Sequence, residues 1–131
     1  MKKNVLTVEI KRPVEAVFQF CINPANTPKW ISSILEEKTD KPHVGLGTIY
    51  SQKVVDSAGK IKKTSLVITG FFLNKQLDFH LANSQYTCSY RFDRTPAGTR
   101  LTYSEENGID NEIEAPLKQE NLRVLKRLIE K

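Results

Sequence analysis

The chain has 131 residues, of which 39% are hydrophobic and 27% charged, a composition that excludes a disordered or fibrous protein and predicts one globular domain over residues 1–131. At this size a core hides roughly two-thirds of the unfolded surface, so neither disulfide nor metal is needed as a staple. Twenty Lys and Arg against fifteen Asp and Glu give a formal charge of +5, which permits an acidic partner without demanding one.

No stretch approaches the roughly 18 apolar residues of a membrane span. The apolar run after Met1-Lys2-Lys3 is cut by Glu9 and is too short for a signal peptide. A cytoplasmic protein is therefore expected. Cys21 and Cys88 fall far apart on apolar faces and read as a reduced core pair rather than a disulfide. The histidines, His43 and His80, and the cysteines have no ligand-like spacing, so no metal site is expected and no cofactor is called for.

Asn4 to Lys11 alternates, with Leu6, Val8 and Ile10 on one face and Thr7, Glu9 and Lys11 on the other, as a half-buried strand does. Arg12-Pro13 ends it, and Pro13 opens a short helix carrying Val14, Val17, Phe18 and Cys21. Asn23-Pro24 stops that helix. Trp30, Ile31, Ile34 and Leu35 give a second short helical stripe, and Ser33 to Asp40 has some strand character. Val44-Gly45-Leu46-Gly47 has no following Lys-Ser or Lys-Thr and no following helix, so it reads as a turn with a bulge rather than a phosphate loop.

From Thr48 the pattern is regular. Thr48–Asp56, Lys60–Leu73, Gln76–Asn83, Gln85–Thr95 and Gly98–Gly108 read as strands joined by turns rich in Gly, Asn, Asp, Pro and Ser. Leu77, Phe79 and Leu81 share a face, as do Tyr86, Cys88, Tyr90 and Phe92, and Leu101, Tyr103 and Glu105. One face of the sheet is therefore covered and the other wet. In Lys60–Leu73 the covered set is Leu66, Ile68, Gly70 and Phe72, with Val67 and Phe71 alternating and a bulge expected near Gly70. The cover is the last stretch, Ala115 to Lys131, an amphipathic helix with Leu117, Val124, Leu125, Leu128 and Ile129 in one arc. Lys118 and Asn121 interrupt that arc. The class is α+β: a curved antiparallel sheet around a long C-terminal helix, with two short helices after the first strand.

Five pieces carry a family resemblance: Val8-x-Ile10-x-x-Pro13-x-x-x-Val17-Phe18-x-Phe20, Asn23-Pro24-x-Asn26-x-Pro28-x-Trp30, Val44-Gly45-x-Gly47-Thr48-x-Tyr50, Gly98-Thr99-x-Leu101-Thr102, and Asn121-Leu122-x-x-Leu125-Lys126-x-x-Ile129-Glu130. In this order, over nearly the whole chain, they resemble the START-like (SRPBCC) superfamily and its polyketide cyclase/dehydrase and lipid-transport group. The resemblance implies a helix-grip fold with a hydrophobic cavity between sheet and C-terminal helix, and binding of lipids, polyketides or other apolar molecules. None of the matching residues is a catalytic signature.

Phase and resemblance together give the expected ligand-lining set: Trp30, Phe72, Phe79, Tyr86, Tyr90, Tyr103, Leu117, Asn121 and Leu125. Three functions stay open: a carrier of a small apolar ligand, a cyclase or dehydratase, and a co-chaperone or ribosome-binding interaction module. The enzyme reading needs an acid or base in the inward phase, for which Glu105 and Tyr103 are the candidates. No nucleic acid is expected, because the basic residues Lys60, Lys62, Lys63, Arg123, Lys126, Arg127 and Lys131 have no interleaved aromatics. They read first as a solvated face, with weak contact with an anionic membrane surface as their other use.

Overall fold

The structure, a computed structural model, describes residues 2–131. In chain order the elements are β1 (Asn4–Ile10), α1 (Val14–Ile22), α2 (Thr27–Trp30), β2 (Ile34–Thr39), β3 (Ile49–Val55), β4 (Ile61–Phe72), β5 (Gln76–Leu81), β6 (Tyr86–Thr95), β7 (Gly98–Asn107) and α3 (Gln119–Glu130). The strands form one seven-stranded sheet in the order β1-β7-β6-β5-β4-β3-β2, curled into a half-barrel, with every pairing antiparallel. Strands β2 to β7 are a meander, and β1 returns to pair with β7. The fold is α+β of the helix-grip type.

Alternation places the core. Leu77 and Phe79, Cys88, Tyr90 and Phe92, and Leu101 and Tyr103 are buried on the concave face. Asn74 and Asn83, at φ 61° and 58°, make the tight turns on either side of β5, a left-handed conformation that Asn tolerates better than most side chains. Gly98, at φ 149°, starts β7 where a Cβ would sit 2.4 Å from the Ile10 carbonyl oxygen, so that turn admits only glycine.

The helices differ from the sequence reading at their ends. The stripe Trp30, Ile31, Ile34, Leu35 is not helical throughout. Helix α2 stops at Trp30, Ile31 is extended, and Ile34 opens strand β2. Helix α3 starts at Gln119, not at Ala115. Pro116 has no N–H, Ala115 is left-handed at φ 51°, and the Leu117 N–H donates to Glu105 instead of to a helical carbonyl. Residues 114–118 are thus an extended strap leading into the helix. Leu122 and Leu125 of α3 are fully buried, and the helix packs on β1, α1 and α2.

Two bulges decide which side chains face inward. In β4 the register shifts between Ile68 and Gly70, so Ile68 pairs with Phe79 but Phe71 pairs with Leu77. The extra residue exchanges the two faces, which turns Phe71 inward against Phe18 and Phe72 outward to 55% exposure. In β2 the register shifts between Ile34 and Glu36, and as a result both Ile34 and Glu37 are buried.

Candidate ligand cavity

The concave face does not close completely on its cover. A cavity of about 440 Å³ remains, lined by every strand from β2 to β7 and roofed by Cys21, Thr27, Ile31 and the strap at Glu114, Ala115 and Leu117. No residue of α3 lines it. The expected cavity between sheet and C-terminal helix is instead a cavity between sheet and the strap that precedes the helix. The helix packs to one side, chiefly on β1. Exposed lining residues Ser33, Ser57, Lys62 and Glu114 mark where the cavity reaches the surface.

Four aromatic rings form its continuous wall. Tyr50 meets Phe79 at 5.3 Å, Phe79 meets Tyr90 at 5.8 Å, and Tyr90 meets Tyr103 at 5.2 Å, each pair edge to face. This is the arrangement aromatic quadrupoles favour, and it fixes the rings without filling the space. Phe79, Tyr86, Tyr90, Tyr103 and Leu117 of the expected set line the cavity. Trp30 is buried behind Tyr90, 6.4 Å between ring centres. Leu125 belongs to the core. Phe72 lies on the outer face because of the β4 bulge. Asn121 is held elsewhere: its Oδ1 accepts from the Lys118 N–H at 2.9 Å, and its Nδ2 donates to the Trp30 carbonyl at 3.0 Å. It starts the helix and ties it to α2.

Two carboxylates are buried in the lining, one towards each edge of the sheet. Glu105 on β7 is 3% exposed. Its Oε1 accepts from the hydroxyls of Tyr86 at 2.5 Å and Tyr103 at 3.3 Å, and its Oε2 from Asn4 Nδ2 at 2.7 Å and the Leu117 N–H at 2.8 Å. The group therefore joins β1, β6, β7 and the strap. Burial first, and then the Glu105 carboxylate that accepts its hydrogen bond, push the Tyr86 hydroxyl well above the ordinary phenol range. Tyr103 is raised well above it too, by burial first. Both therefore stay protonated donors at neutral pH.

Glu37 on β2 is the second carboxylate, and the sequence reading did not single it out. Thr27 Oγ1 donates to its Oε1 and Gln52 Nε2 to its Oε2, both at 2.5 Å. Burial raises its pKa above the usual carboxylate value, while these two hydrogen bonds pull the other way. The signal that could have found it was Gln52, a polar residue in phase with Tyr50 and Val54 on β3. A buried amide needs a partner, and the neighbouring strand must supply it.

The thiols of Cys21 and Cys88 are free and line the same space. Burial pushes each up to about 12. His80 bonds the Ser84 carbonyl at 2.7 Å and His43 is exposed; neither reaches the cavity.

No family model matches the chain, and no curated protein matches it. Solved structures do. CV1439 from Chromobacterium violaceum superposes with TM-score 0.76 at 14% identity, over 100% of this chain and 99% of that one. Ara h 8.0201 gives 0.69 at 14% identity, over 97% and 96%. The Polyketide_cyc-like protein Cgl2372 from Corynebacterium glutamicum gives 0.58 at 16% identity, over 80% and 64%. The fold is START-like. At these identities the likeness is one of architecture, and a START-like sheet explains why the cavity exists: a strongly curled sheet capped by short helices and a strap leaves more volume than its side chains fill.

Proposed function

We propose that the protein binds a small, largely apolar molecule in the cavity and carries it rather than transforming it. The observation that supports this most directly is the cavity itself, about 440 Å³ with an aromatic wall, within the size range of small-molecule sites. The START-like fold, one associated with hydrophobic ligands, supports it independently. The enzyme reading through Glu105 and Tyr103 has less support, because the four donors on Glu105 occupy the acceptor positions a general base would use. Reduced Cys21 and Cys88 agree with the cytoplasm as the place of action.

Native mass spectrometry of the purified protein, with extraction of whatever co-purifies, tests the reading. An apolar molecule of fixed stoichiometry is expected, and its uptake by stripped protein should shift the emission of Trp30, which rests on the cavity residue Tyr90. If nothing co-purifies and a panel of apolar dyes leaves Trp30 emission unchanged, the binding reading fails. Glu105→Gln and Tyr103→Phe separate binder from enzyme: a carrier keeps its ligand, whereas an enzyme loses turnover.

A further inference from the structure

The cavity wall is largely apolar, and its charged lining is four acids to one base. Its charged lining residues are Glu37, Asp56, Lys62, Glu105 and Glu114. Lys62 is the single cation among them; it is exposed at the mouth and lies 3.5 Å from Asp56. Among the described residues, the buried part of the lining holds two carboxylates and no basic side chain.

The two carboxylates are not equivalent. Glu105 is fully engaged by four donors. Glu37 has one donor on each oxygen and, among the described residues, no cationic partner, so each oxygen keeps an acceptor position open. Glu37 is paired in register with Gln52, whose inward neighbour on β3 is Tyr50. That makes Glu37 and Tyr50 diagonal neighbours, about 7–8 Å apart, at the end of the Tyr50–Phe79–Tyr90 wall. Tyr90 supplies the second observation. It is 9% exposed and lines the cavity, and its hydroxyl makes no hydrogen bond among the described residues and is open to the cavity rather than sealed in the core.

A buried, half-satisfied carboxylate at the end of a row of aromatic rings, with an open hydroxyl on the wall of the same cavity, has the chemistry to recognise a cation. Ring faces attract ammonium groups, most strongly when desolvated. A carboxylate without a protein counter-charge gains from one brought by a ligand. The same site repels a carboxylate or phosphate head, which finds no basic side chain in the buried lining.

We propose that the cavity selects apolar molecules carrying a protonated amine, seated with the ammonium between Glu37 and the Tyr90 hydroxyl, and discriminates against the matching carboxylates. This rests on the binding reading above and specifies its ligand class. The test uses three ligands of one shape, 4-phenylbutylamine, 4-phenylbutanol and 4-phenylbutyrate, titrated calorimetrically into the intact chain at neutral pH. The amine is expected to bind at least about tenfold tighter than the alcohol, the span of one charge-assisted hydrogen bond, and the carboxylate weaker than both. Glu37→Gln should bring the amine-to-alcohol ratio down towards one. Tyr90→Phe, which removes only a hydroxyl, should lower the ratio in part and serves if Glu37→Gln does not fold. Equal binding of all three, tightest binding of the carboxylate, or an amine preference that survives Glu37→Gln each overturn the head-group inference alone. Binding of none of the three overturns the binding reading with it.

Discussion

The backbone N–H of Leu117 donates to Glu105 Oε2 at 2.8 Å, so a strand carboxylate deep in the cavity wall holds the strap that leads into the last helix. Asn4 bridges the same pair, donating to Glu105 Oε2 and to the Leu117 carbonyl at 2.9 Å. The first strand, the last strand and the strap are thereby fastened at one carboxylate. A side chain that looks catalytic by its residue type and burial is, by its bonds, a latch.

Removing the latch should therefore cost stability. Glu105→Ala leaves the Tyr86 and Tyr103 hydroxyls, the Asn4 amide and the Leu117 N–H short of an acceptor in a mostly buried place. A loss of about 3 kcal/mol or more is expected from urea unfolding. Tyr103→Phe gives up only the long 3.3 Å bond and its 3.2 Å contact with Tyr86, and should cost less than about 1.5 kcal/mol. If the two variants unfold at the same urea concentration, Glu105 is not the latch.

The last helix makes a simpler prediction. Leu125 is fully buried among the residues of the core, away from the cavity. Leu125→Ala should lower stability by about 2–5 kcal/mol. Because Leu125 does not line the cavity, ligand affinity measured on the fraction that remains folded should change little. A large affinity loss in well-folded Leu125→Ala protein would mean that the helix itself, and not the strap, forms the ligand's roof.

These two residues mark how far the sequence could be read. Leu125 was legible because helical periodicity reports which arc is buried, and Leu101, Tyr103 and Glu105 were legible because strand alternation does the same. Periodicity fails where a residue is inserted. The β4 bulge exchanged Phe71 for Phe72, and the β2 bulge carried Glu37 into the interior from a stretch with no clean alternation. The helix start was misplaced because Pro116 suits a first helical turn, whereas the hydrogen bond that keeps Leu117 extended comes from Glu105, twelve residues away. Long-range partners of this kind leave no local trace in the chain.

The thiols offer a check on the cavity that needs no ligand. Both lie where burial raises their pKa to about 12, so at pH 8 the thiolate that reacts with disulfide reagents is roughly one part in ten thousand. Reaction with Ellman's reagent should be slower than for unfolded protein by at least about a hundredfold. Both cysteines also line the cavity. A bound ligand should slow the native reaction further, and two thiols should be counted after denaturation. Rapid titration of either thiol in the native protein would contradict the sheltered, apolar setting that raises their pKa.

Glu37 predicts a pH dependence whose sign follows from its environment. Its folded-state pKa lies above the ordinary 4.5, and the first cause is burial. Between the unfolded and folded values the native state holds a proton that the unfolded chain has released. Stability from this group is thus fully present below about 4.5 and is lost as pH rises through the folded value. Above the folded value, ionised Glu37 is a cost to the empty protein. Glu37→Gln removes that cost while keeping the shape and an acceptor for Thr27, with Gln52 turning its amide to match. The variant should melt higher than the parent at pH 7, and the difference should shrink at pH 4, where the parent carboxyl is protonated. Thermal melts at the two pH values in ligand-free protein measure it directly. A variant less stable at pH 7 than at pH 4, relative to the parent, would show that the Glu37 charge stabilises the fold. A gain at pH 7 joined to loss of amine preference would mean that the buried charge is kept for binding at the expense of stability.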